Sequence, residues 1–309
     1  MKNYFLLFLK GIGMGAANVI PGVSGGTIAF ITNIYEDLIH SLKSFDLIAI
    51  QYLLKFKIKS FAEHVNLTFL IVLFSGIIIS IISLGKLLSF LFDQYPVLVW
   101  AFFFGLIIAS VYYVGKTISD WNGPTILSMI IGTMVALAIT YMNPANSDDS
   151  ILYLIICGIV AMASMLLPGL SGSFVLILMG NYQLIFLEAV PELNIRILAP
   201  VVLGSIIGFV ILSRIISFLL EKFRNQTIGL LTGFILGSLL IIWPWKDEVY
   251  LTDKSGEAIL RKGEMIVEGY KWNLPDLYSG QTWLAILFMI IGILAVVLIE
   301  GVIKTKEVK

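Results

Sequence analysis

The sequence predicts an all-α polytopic membrane protein, and two observations support this fold class. The chain of 309 residues is 59% hydrophobic and only 13% charged, with a mean hydropathy of +0.98. A soluble protein of this length could not bury so much apolar surface. Several apolar runs also reach the roughly 20 residues that a helix needs to cross a bilayer. The formal net charge of zero gives no basic surface, so nucleic acid is not an expected partner.

Six apolar runs have the length of full spans, and two further segments are broken. The full runs are 66–92, 96–115, 124–142, 196–220, 227–245 and 282–303. The broken segments, 4–42 and 151–190, each contain Pro-Gly-x-Ser-Gly, at 21–25 and 168–172. Proline removes a backbone donor and glycine weakens a helix, so the chain is expected to break there. Two half-length helices would then form a re-entrant hairpin, with its irregular backbone buried in protein or lining a cavity.

The same motifs occur twice in the same order, which indicates two copies of one unit. One constant offset relates Pro21, Gly22, Ser24, Gly25 and Tyr35 to Pro168, Gly169, Ser171, Gly172 and Tyr182. A second offset relates Gly76, Lys86, Ser89, Phe90, Leu91, Asp93 and Gly105 to Gly204, Arg214, Ser217, Phe218, Leu219, Glu221 and Gly233. We predict repeat 1 over 1–142 and repeat 2 over 143–309.

The distribution of charge predicts the orientation of the chain. With the N-terminus inside and each broken segment re-entrant, the inner side receives most loop lysines and arginines. The outer side receives the acidic turn 148–149 and the loop 246–281. This agrees with the basic character of cytoplasmic loops. Each repeat then makes three crossings, so repeat 2 is inverted relative to repeat 1, as in many transporters. Both termini are expected to be cytoplasmic.

Segment 44–64 is present only in repeat 1, and it mixes apolar with basic residues. It is too polar to cross the bilayer. We expect it to lie on the inner membrane interface, where its lysines could attract anionic lipids. A short strand is the alternative interpretation of its alternating pattern.

Each break predicts a binding site for an anion. The start of the half-helix after each break should leave backbone N–H groups free, and helix N-termini attract anions. The candidate residues are Gly22, Ser24, Gly25, Gly26 and Thr27 in the first break and Gly169, Ser171, Gly172 and Ser173 in the second. The alternative is that Pro-Gly only turns the hairpin while the serine caps the next helix. Polar contacts or caps could also come from Asn18, Asn33 and Asn181.

Lys86 and Arg214 occupy equivalent positions in two duplicated spans. An ionisable residue within a span is a functional candidate by default, so we predict that this pair contacts the anion. Snorkelling to the interface is one alternative. Ion pairing with Asp93 and Glu221, respectively, is another.

Metal and redox chemistry have few candidate residues. The single cysteine, Cys157, lies in an apolar run, where a packing role is the simplest interpretation. His40 and His64 make a poor metal pair. We therefore expect no metal and no cofactor.

The elements Pro21-Gly22-Val23-Ser24-Gly25-Gly26-Thr27 and Pro168-Gly169-Leu170-Ser171-Gly172-Ser173, with the span layout and the chain length, resemble the membrane family called domain of unknown function 368. The resemblance covers essentially the whole chain. Members of this bacterial and archaeal family are described as polyprenyl-phosphate transporters. The resemblance implies a plasma-membrane flippase that returns undecaprenyl phosphate, a lipid carrier of cell-wall building blocks, from the outer to the inner leaflet. It leaves the coupling ion and the oligomeric state open.

Two other functions stay open at this point. Undecaprenyl-pyrophosphate phosphatase also has inverted repeats and a Pro-Gly-x-Ser-Arg-Ser element. Here, however, the stretches 13–18 and 158–166 before the motifs contain no carboxylate for acid–base catalysis, so no enzyme is expected. An anion channel or anion carrier is the second alternative, because helix termini bind many anions.

Overall fold

A computed structural model of the chain describes residues 4–19, 24–142, 147–170, 172–190, 192–250, 260–261, 264–265 and 267–307. The α-helices are α1 (Tyr4–Val19), α2 (Gly25–Ile31), α3 (Tyr35–Lys43), α4 (Leu47–Leu54), α5 (Ile58–His64), α6 (Leu67–Gln94), α7 (Pro96–Gly115), α8 (Gly123–Thr140), α9 (Ile151–Leu166), α10 (Gly172–Leu178), α11 (Ile195–Lys222), α12 (Arg224–Ser238) and α13 (Gly280–Glu307). A π-helix occupies Gln183–Ala189. The strands are β1 (Lys246–Tyr250), β2 (Leu260–Arg261), β3 (Glu264–Met265) and β4 (Val267–Trp272).

Within the described ranges, four helices are long and apolar enough to cross a bilayer. They are α7, α8, α11 and the part of α13 that ends at Leu298. The pair α5–α6 would make a fifth span, bent by 68° at the break between its helices. The protein is therefore a mostly helical, polytopic membrane protein.

One detail of the predicted architecture is wrong. The span expected over 227–245 is helical only to Ser238, and the 15 residues of α12 are short for a crossing. Pro244 disfavours helix in the residue before it, which agrees with the turns that follow α12. The loop 246–281 also contains two short antiparallel strand pairs that the sequence did not predict, β1 with β4 and β2 with β3.

In the first broken segment, α2 folds back along α1. The backbone N–H of Gly25, at the start of α2, donates to Asn18 Oδ1 near the end of α1, at 2.8 Å. At the other end of α2, the carbonyl oxygen of Thr32 accepts a hydrogen bond from Lys10 Nζ, two turns earlier on α1. The two helices therefore form an antiparallel hairpin.

The second broken segment folds in the same way. Gly172, at the start of α10, packs on the carbonyl oxygen of Ala161 near the end of α9. The Tyr153 hydroxyl, near the start of α9, donates to the carbonyl oxygen of Met179 at 2.8 Å. Later residues of the second helix thus contact earlier residues of the first, so α9 and α10 also form an antiparallel hairpin.

The second half of each segment is divided more than the sequence suggested. After α2 the chain turns at Asn33, and after α10 it turns at the equivalent Gly180, with φ angles of 55° and 74°. Glycine and asparagine tolerate this left-handed conformation better than other residues. The chain then continues into α3 in the first half and into the π-helix in the second.

Glycines set the packing between neighbouring helices, because they let two backbones approach closely. Gly11 and Gly15 of α1 pack on the carbonyl oxygens of Leu73 and Ile77 of α6; Gly204 and Gly208 of α11 pack on those of Ile155 and Ile159 of α9. In both pairs, a glycine one turn closer to the C-terminus of its helix contacts a residue one turn closer to the C-terminus of the partner helix. The helices of each pair are therefore parallel, so the chain returns to its starting side between them.

Two further pairs join the first half of the chain to the second. Gly229 and Gly233 of α12 pack on the carbonyl oxygens of Thr125 and Met129 of α8, so α8 and α12 are also parallel. The equivalent pair is α7 and α13, which also pack closely through glycines. The contacts between helices thus follow the same correspondence as the repeated sequence.

The joints between consecutive spans are duplicated as well. Tyr95 joins α6 to α7 with φ −138° and ψ 49°, and Phe223 joins α11 to α12 with φ −134° and ψ 50°. Their backbone N–H groups donate to the carbonyl oxygens of Leu91 and Leu219, which are also equivalent positions. The repeated sequence therefore has a repeated backbone conformation at this joint.

Candidate functional site

The two broken segments meet through hydrogen bonds inside the bundle. The backbone N–H of Gly169 donates to Thr27 Oγ1 at 2.9 Å, and the Tyr35 hydroxyl donates to the carbonyl oxygen of Leu166 at 3.0 Å. Thr27 and Tyr35 are both buried. A backbone N–H group buried in this way requires a hydrogen-bond acceptor. The Thr27 hydroxyl of the first break provides that acceptor for the irregular backbone of the second break.

The prediction of free amides at the start of α2 is wrong in this conformation. Ser24 caps α2 by accepting from the backbone N–H of Gly26 at 3.2 Å, and Asn18 accepts from that of Gly25 at 2.8 Å. Ser24 Oγ also donates to the carbonyl oxygen of Leu167 at 3.3 Å. With only 7 residues, α2 also has a short dipole. The capping role, which was the alternative interpretation of Ser24, is the one observed.

A cavity of about 590 Å³ lies between the two broken segments. Its polar lining consists of Asn18, Ser24, Tyr35, Ser173 and Tyr182, together with the glycines Gly25, Gly26 and Gly172. Leucine, isoleucine, methionine and phenylalanine side chains make up most of the remaining wall. The cavity therefore combines a small set of hydrogen-bonding groups with an apolar surface.

Equivalent positions of the two halves line this cavity. The equivalent pairs are Met14 and Ala161, Asn18 and Met165, Gly25 and Gly172, Gly26 and Ser173, Tyr35 and Tyr182, and Ile81 and Phe209. The cavity is therefore lined by equivalent positions of the two broken segments and of the helices that follow them.

The structure brings most of the predicted site residues together. The cavity-lining members are Ser24, Gly25, Gly26, Gly172 and Ser173, and the buried hydrogen-bonded pair is Thr27 and Gly169. Gly22 and Ser171 lie outside the described residues. Lys86 belongs to α6, but its side chain is not part of what the structure describes.

Arg214 is exposed on α11 and is not among the cavity-lining residues. Its proposed ion-pair partner, Glu221, instead contacts Lys43 Nζ and Ser217 Oγ, each at 2.8 Å. Among the described residues, no charged side chain lines the cavity. Hydroxyl and amide groups therefore form its polar surface.

Three groups near the site were not among the predicted site residues. Tyr35 and Tyr182 line the cavity, and both already belonged to the series of repeated residues. Lys10 has no role in the predicted site, but it lies on the same face of α1 as Met14 and Asn18 and bonds to the end of α2. A charge inside an apolar segment was the signal that could have identified it.

The described residues provide no cluster of His, Cys, Asp and Glu side chains that could hold a metal ion. The fold and the cavity together define a polytopic membrane protein whose cavity is formed by broken helices. Cavities of this kind are typical of secondary transporters.

Comparison with known proteins identifies the family. A family model described as VCA0040-like, undecaprenyl phosphate translocase-like, matches residues 14–259. The chain belongs to this family, for which domain of unknown function 368 is another label. The resemblance found in the sequence is therefore confirmed.

Two relatives cover most of the chain. A protein of Vibrio cholerae serotype O1 named polyprenyl-phosphate transporter is 40% identical over 258 residues, 83% of this chain and 83% of its own length. A Staphylococcus aureus protein of the same name is 34% identical over 253 residues, 76% of this chain and 85% of its own length. No solved structure matches the chain.

Proposed function

We propose that this protein transports a polyprenyl phosphate, and that it returns undecaprenyl phosphate from the outer to the inner leaflet of the bacterial plasma membrane. The observation that supports this most strongly is the cavity of about 590 Å³ built from equivalent residues of both halves. The names of the two relatives support the substrate class. The substrate is amphiphilic, and the cavity offers both polar groups and an apolar wall.

The halves are proposed to be inverted repeats. The helices α6, α7 and α8 follow one another through short connections and are expected to alternate in direction. The same alternation is proposed for α11, α12 and α13, although residues 239–279 separate α12 from α13. Since α8 is parallel to α12, α6 and α11 would then run in opposite directions. Rocking of one half against the other would expose the cavity to each side of the membrane in turn.

The phosphate headgroup is proposed to bind at the polar surface of the cavity while the prenyl chain stays in contact with apolar walls and lipid. Ser24, Ser173, Tyr35 and Tyr182 provide hydroxyl groups that can donate to phosphate oxygens. Ser24 and Tyr35 would exchange their present backbone acceptors for the substrate. Hydrogen bonds to a charged group are stronger than those between neutral groups.

Lys86 and Arg214 are proposed to attract the headgroup near opposite membrane faces before and after it occupies the cavity. Arginine offers a planar set of donors that matches phosphate, whereas lysine acts as a point charge. The exposed position of Arg214 on α11 suits contact with a lipid headgroup at the boundary of the protein.

The test is transport of labelled undecaprenyl phosphate in vesicles that contain the purified protein. The double variant Ser24→Ala/Ser173→Ala is expected to slow transfer between leaflets by about tenfold or more, because hydrogen bonds to a charged group contribute about 1.5–3 kcal/mol each. Ser83→Ala/Ser128→Ala is the matched control, since these hydroxyls bond to carbonyls of their own helices outside the cavity. Arg214→Ala is expected to slow transfer without changing the thermal stability.

Equal transfer rates in the cavity variant and its control would rule out the proposed binding site. Release of inorganic phosphate from the pyrophosphate form of the lipid would instead favour the phosphatase activity. An anion current without lipid transfer would favour a channel.

A further inference from the structure

We propose that residues 44–64 form a binding surface for the headgroups of anionic phospholipids, in the leaflet where α6 begins. This surface, called the α4–α5 hairpin below, lies outside both Pro-Gly-x-Ser-Gly breaks. The inference requires only that the chain is a membrane protein, and it does not depend on the transported substrate.

The α4–α5 hairpin exposes more apolar side chain than water would favour. The exposed fractions are 74% for Leu47, 73% for Leu54, 88% for Phe56 and 58% for Ile58. These residues lie on two short helices and on the turn between them. A contiguous exposed apolar patch marks an interaction site, and in a membrane protein the apolar region of the lipid is the available partner.

Basic residues surround the most exposed of these side chains. Lys55 and Lys57 flank Phe56, Lys59 follows on α5, and all three lysines are exposed. Phe56 adopts a left-handed conformation with φ 53°, which is unfavourable for a residue with a bulky side chain. The turn therefore presents an aromatic ring between two positive charges, the combination that suits the boundary between headgroups and acyl chains.

The α4–α5 hairpin has internal contacts that hold its shape. The Asp46 carboxylate caps α4 by accepting from the backbone N–H groups of Ile48 and Ala49, each at 2.9 Å, and it also bonds to His64 at 3.0 Å. Burial acts to raise the pKa of Asp46, but these hydrogen bonds outweigh it and hold the pKa below its usual value. The Asp46 carboxylate is therefore ionised at neutral pH. Its hydrogen bonds to α4 and to His64 at the end of α5 hold together the two helices that flank Lys55 and Lys57.

The orientation of α5 is consistent with a position at the membrane surface. α5 meets the first part of α6 at 68°. Membrane-spanning helices tilt by about 20° on average from the bilayer normal, so α5 lies closer to the membrane plane than to the normal. Lysines at this depth attract anionic headgroups. Among the described residues, the second half has no equivalent of the α4–α5 hairpin, because α11 begins at Ile195 soon after the π-helix.

The test is lipid quenching of a fluorophore placed on the α4–α5 hairpin of the full chain. Cys157→Ala removes the native thiol, and Leu54→Cys provides a labelling site for bimane. The labelled protein is incorporated in vesicles that contain phosphatidylcholine. In one sample phosphatidylglycerol carries the brominated acyl chains, and in the other phosphatidylcholine carries them; the mole fraction of brominated lipid is the same in both. Quenching by the brominated phosphatidylglycerol is expected to exceed that by the brominated phosphatidylcholine severalfold. The excess should fall with salt, since the Debye length shortens from about 10 Å at 0.1 M to about 3 Å at 1 M.

The triple variant Lys55→Gln/Lys57→Gln/Lys59→Gln should quench equally with the two brominated lipids. The control Lys116→Gln/Lys222→Gln/Lys271→Gln removes the same charge from other exposed sites and should keep the preference. Equal quenching in the unmodified hairpin, no quenching by either lipid, or a preference that survives loss of the three lysines would each overturn the proposal. The salt dependence of the unmodified hairpin gives a result even when the triple variant does not fold.

Discussion

Thr27 shows how one residue connects the two halves of the molecule. Its side chain is fully buried, and its Oγ1 accepts from the backbone N–H of Gly169 in the opposite break. Gly169 has a φ of 84°, and a Cβ atom there would meet the backbone of α12 at Phe234 and Ile235. The backbone of α12 therefore restricts the position of Gly169, and Thr27 provides the acceptor for its N–H group.

Thr27→Val is expected to destabilise the protein by about 1–3 kcal/mol, because valine keeps the shape of the side chain but leaves a buried amide without its acceptor. Thermal unfolding in detergent measures the loss. Thr27→Ser keeps the oxygen and serves as the control, with a smaller change expected. Equal stability of the valine variant and the native chain would show that this hydrogen bond contributes nothing.

At the level of secondary-structure elements, two ion pairs fasten α3 to the second half of the chain. Lys43 Nζ lies 2.8 Å from Glu221 of α11, and Arg224 of α12 lies 2.6 Å from Glu36. The equivalent positions in the other half hold Val190 for Lys43 and Pro96 for Arg224, and neither provides a cation. The equivalent positions therefore cannot form the same two ion pairs.

These ion pairs are predicted to favour the conformation in which α3 packs on α11. Lys43→Glu and Glu221→Lys, each alone, should raise labelling of a cysteine placed at Met162 in the cavity wall by a few-fold, the size typical of exposed ion pairs. The measurement is the rate of reaction with a membrane-impermeant maleimide in the Cys157→Ala background.

The double variant Lys43→Glu/Glu221→Lys restores opposite charges and should return the labelling rate toward that of the parent. A double variant that labels as fast as the single ones would show that the effect comes from each side chain separately. Lys116→Glu is a charge control, since this exposed lysine lies at the end of α7.

For the molecule as a whole, the inverted arrangement makes a prediction about sidedness. Single cysteines at Lys116, after α7, and at Asp276, before α13, should react with an impermeant maleimide from opposite sides of the membrane. The cytoplasmic side is expected for position 116, because its loop belongs to the basic face. Right-side-out and inside-out vesicles of the Cys157→Ala background provide the two accessible faces.

Labelling of both positions from the same side would contradict the inverted arrangement. A third cysteine, at Lys222, tests the second half directly, and it should behave like position 116. Ser119 of the loop after α7 bonds to Asn225 next to this position, so the two loops meet at one end of the bundle.

The membrane class could be predicted from sequence because it depends on patterns that water and lipid impose locally. Apolar runs of spanning length must avoid water, and the repeated motifs lie at constant offsets. The end of α12 and the β1–β4 pairing were harder to predict. The residues from Leu239 to Trp245 are mostly apolar, but turns follow Ser238, and the indole N–H of Trp272 donates to the carbonyl oxygen of Leu240 ahead of β1.

The candidate site was predictable in composition but not in its hydrogen bonding. The sequence by itself determined that two related breaks exist, that serines and glycines occupy both, and that a charged residue interrupts the first segment. Only the tertiary structure decided that the side chains of Ser24 and Asn18 accept hydrogen bonds from the first backbone N–H groups of α2. It also decided that Thr27 accepts from the N–H group of Gly169 and that Arg214 is exposed. Hydrogen bonds between residues far apart in the chain depend on how the halves pack. Local sequence specifies the donors and acceptors, whereas packing selects which of them meet.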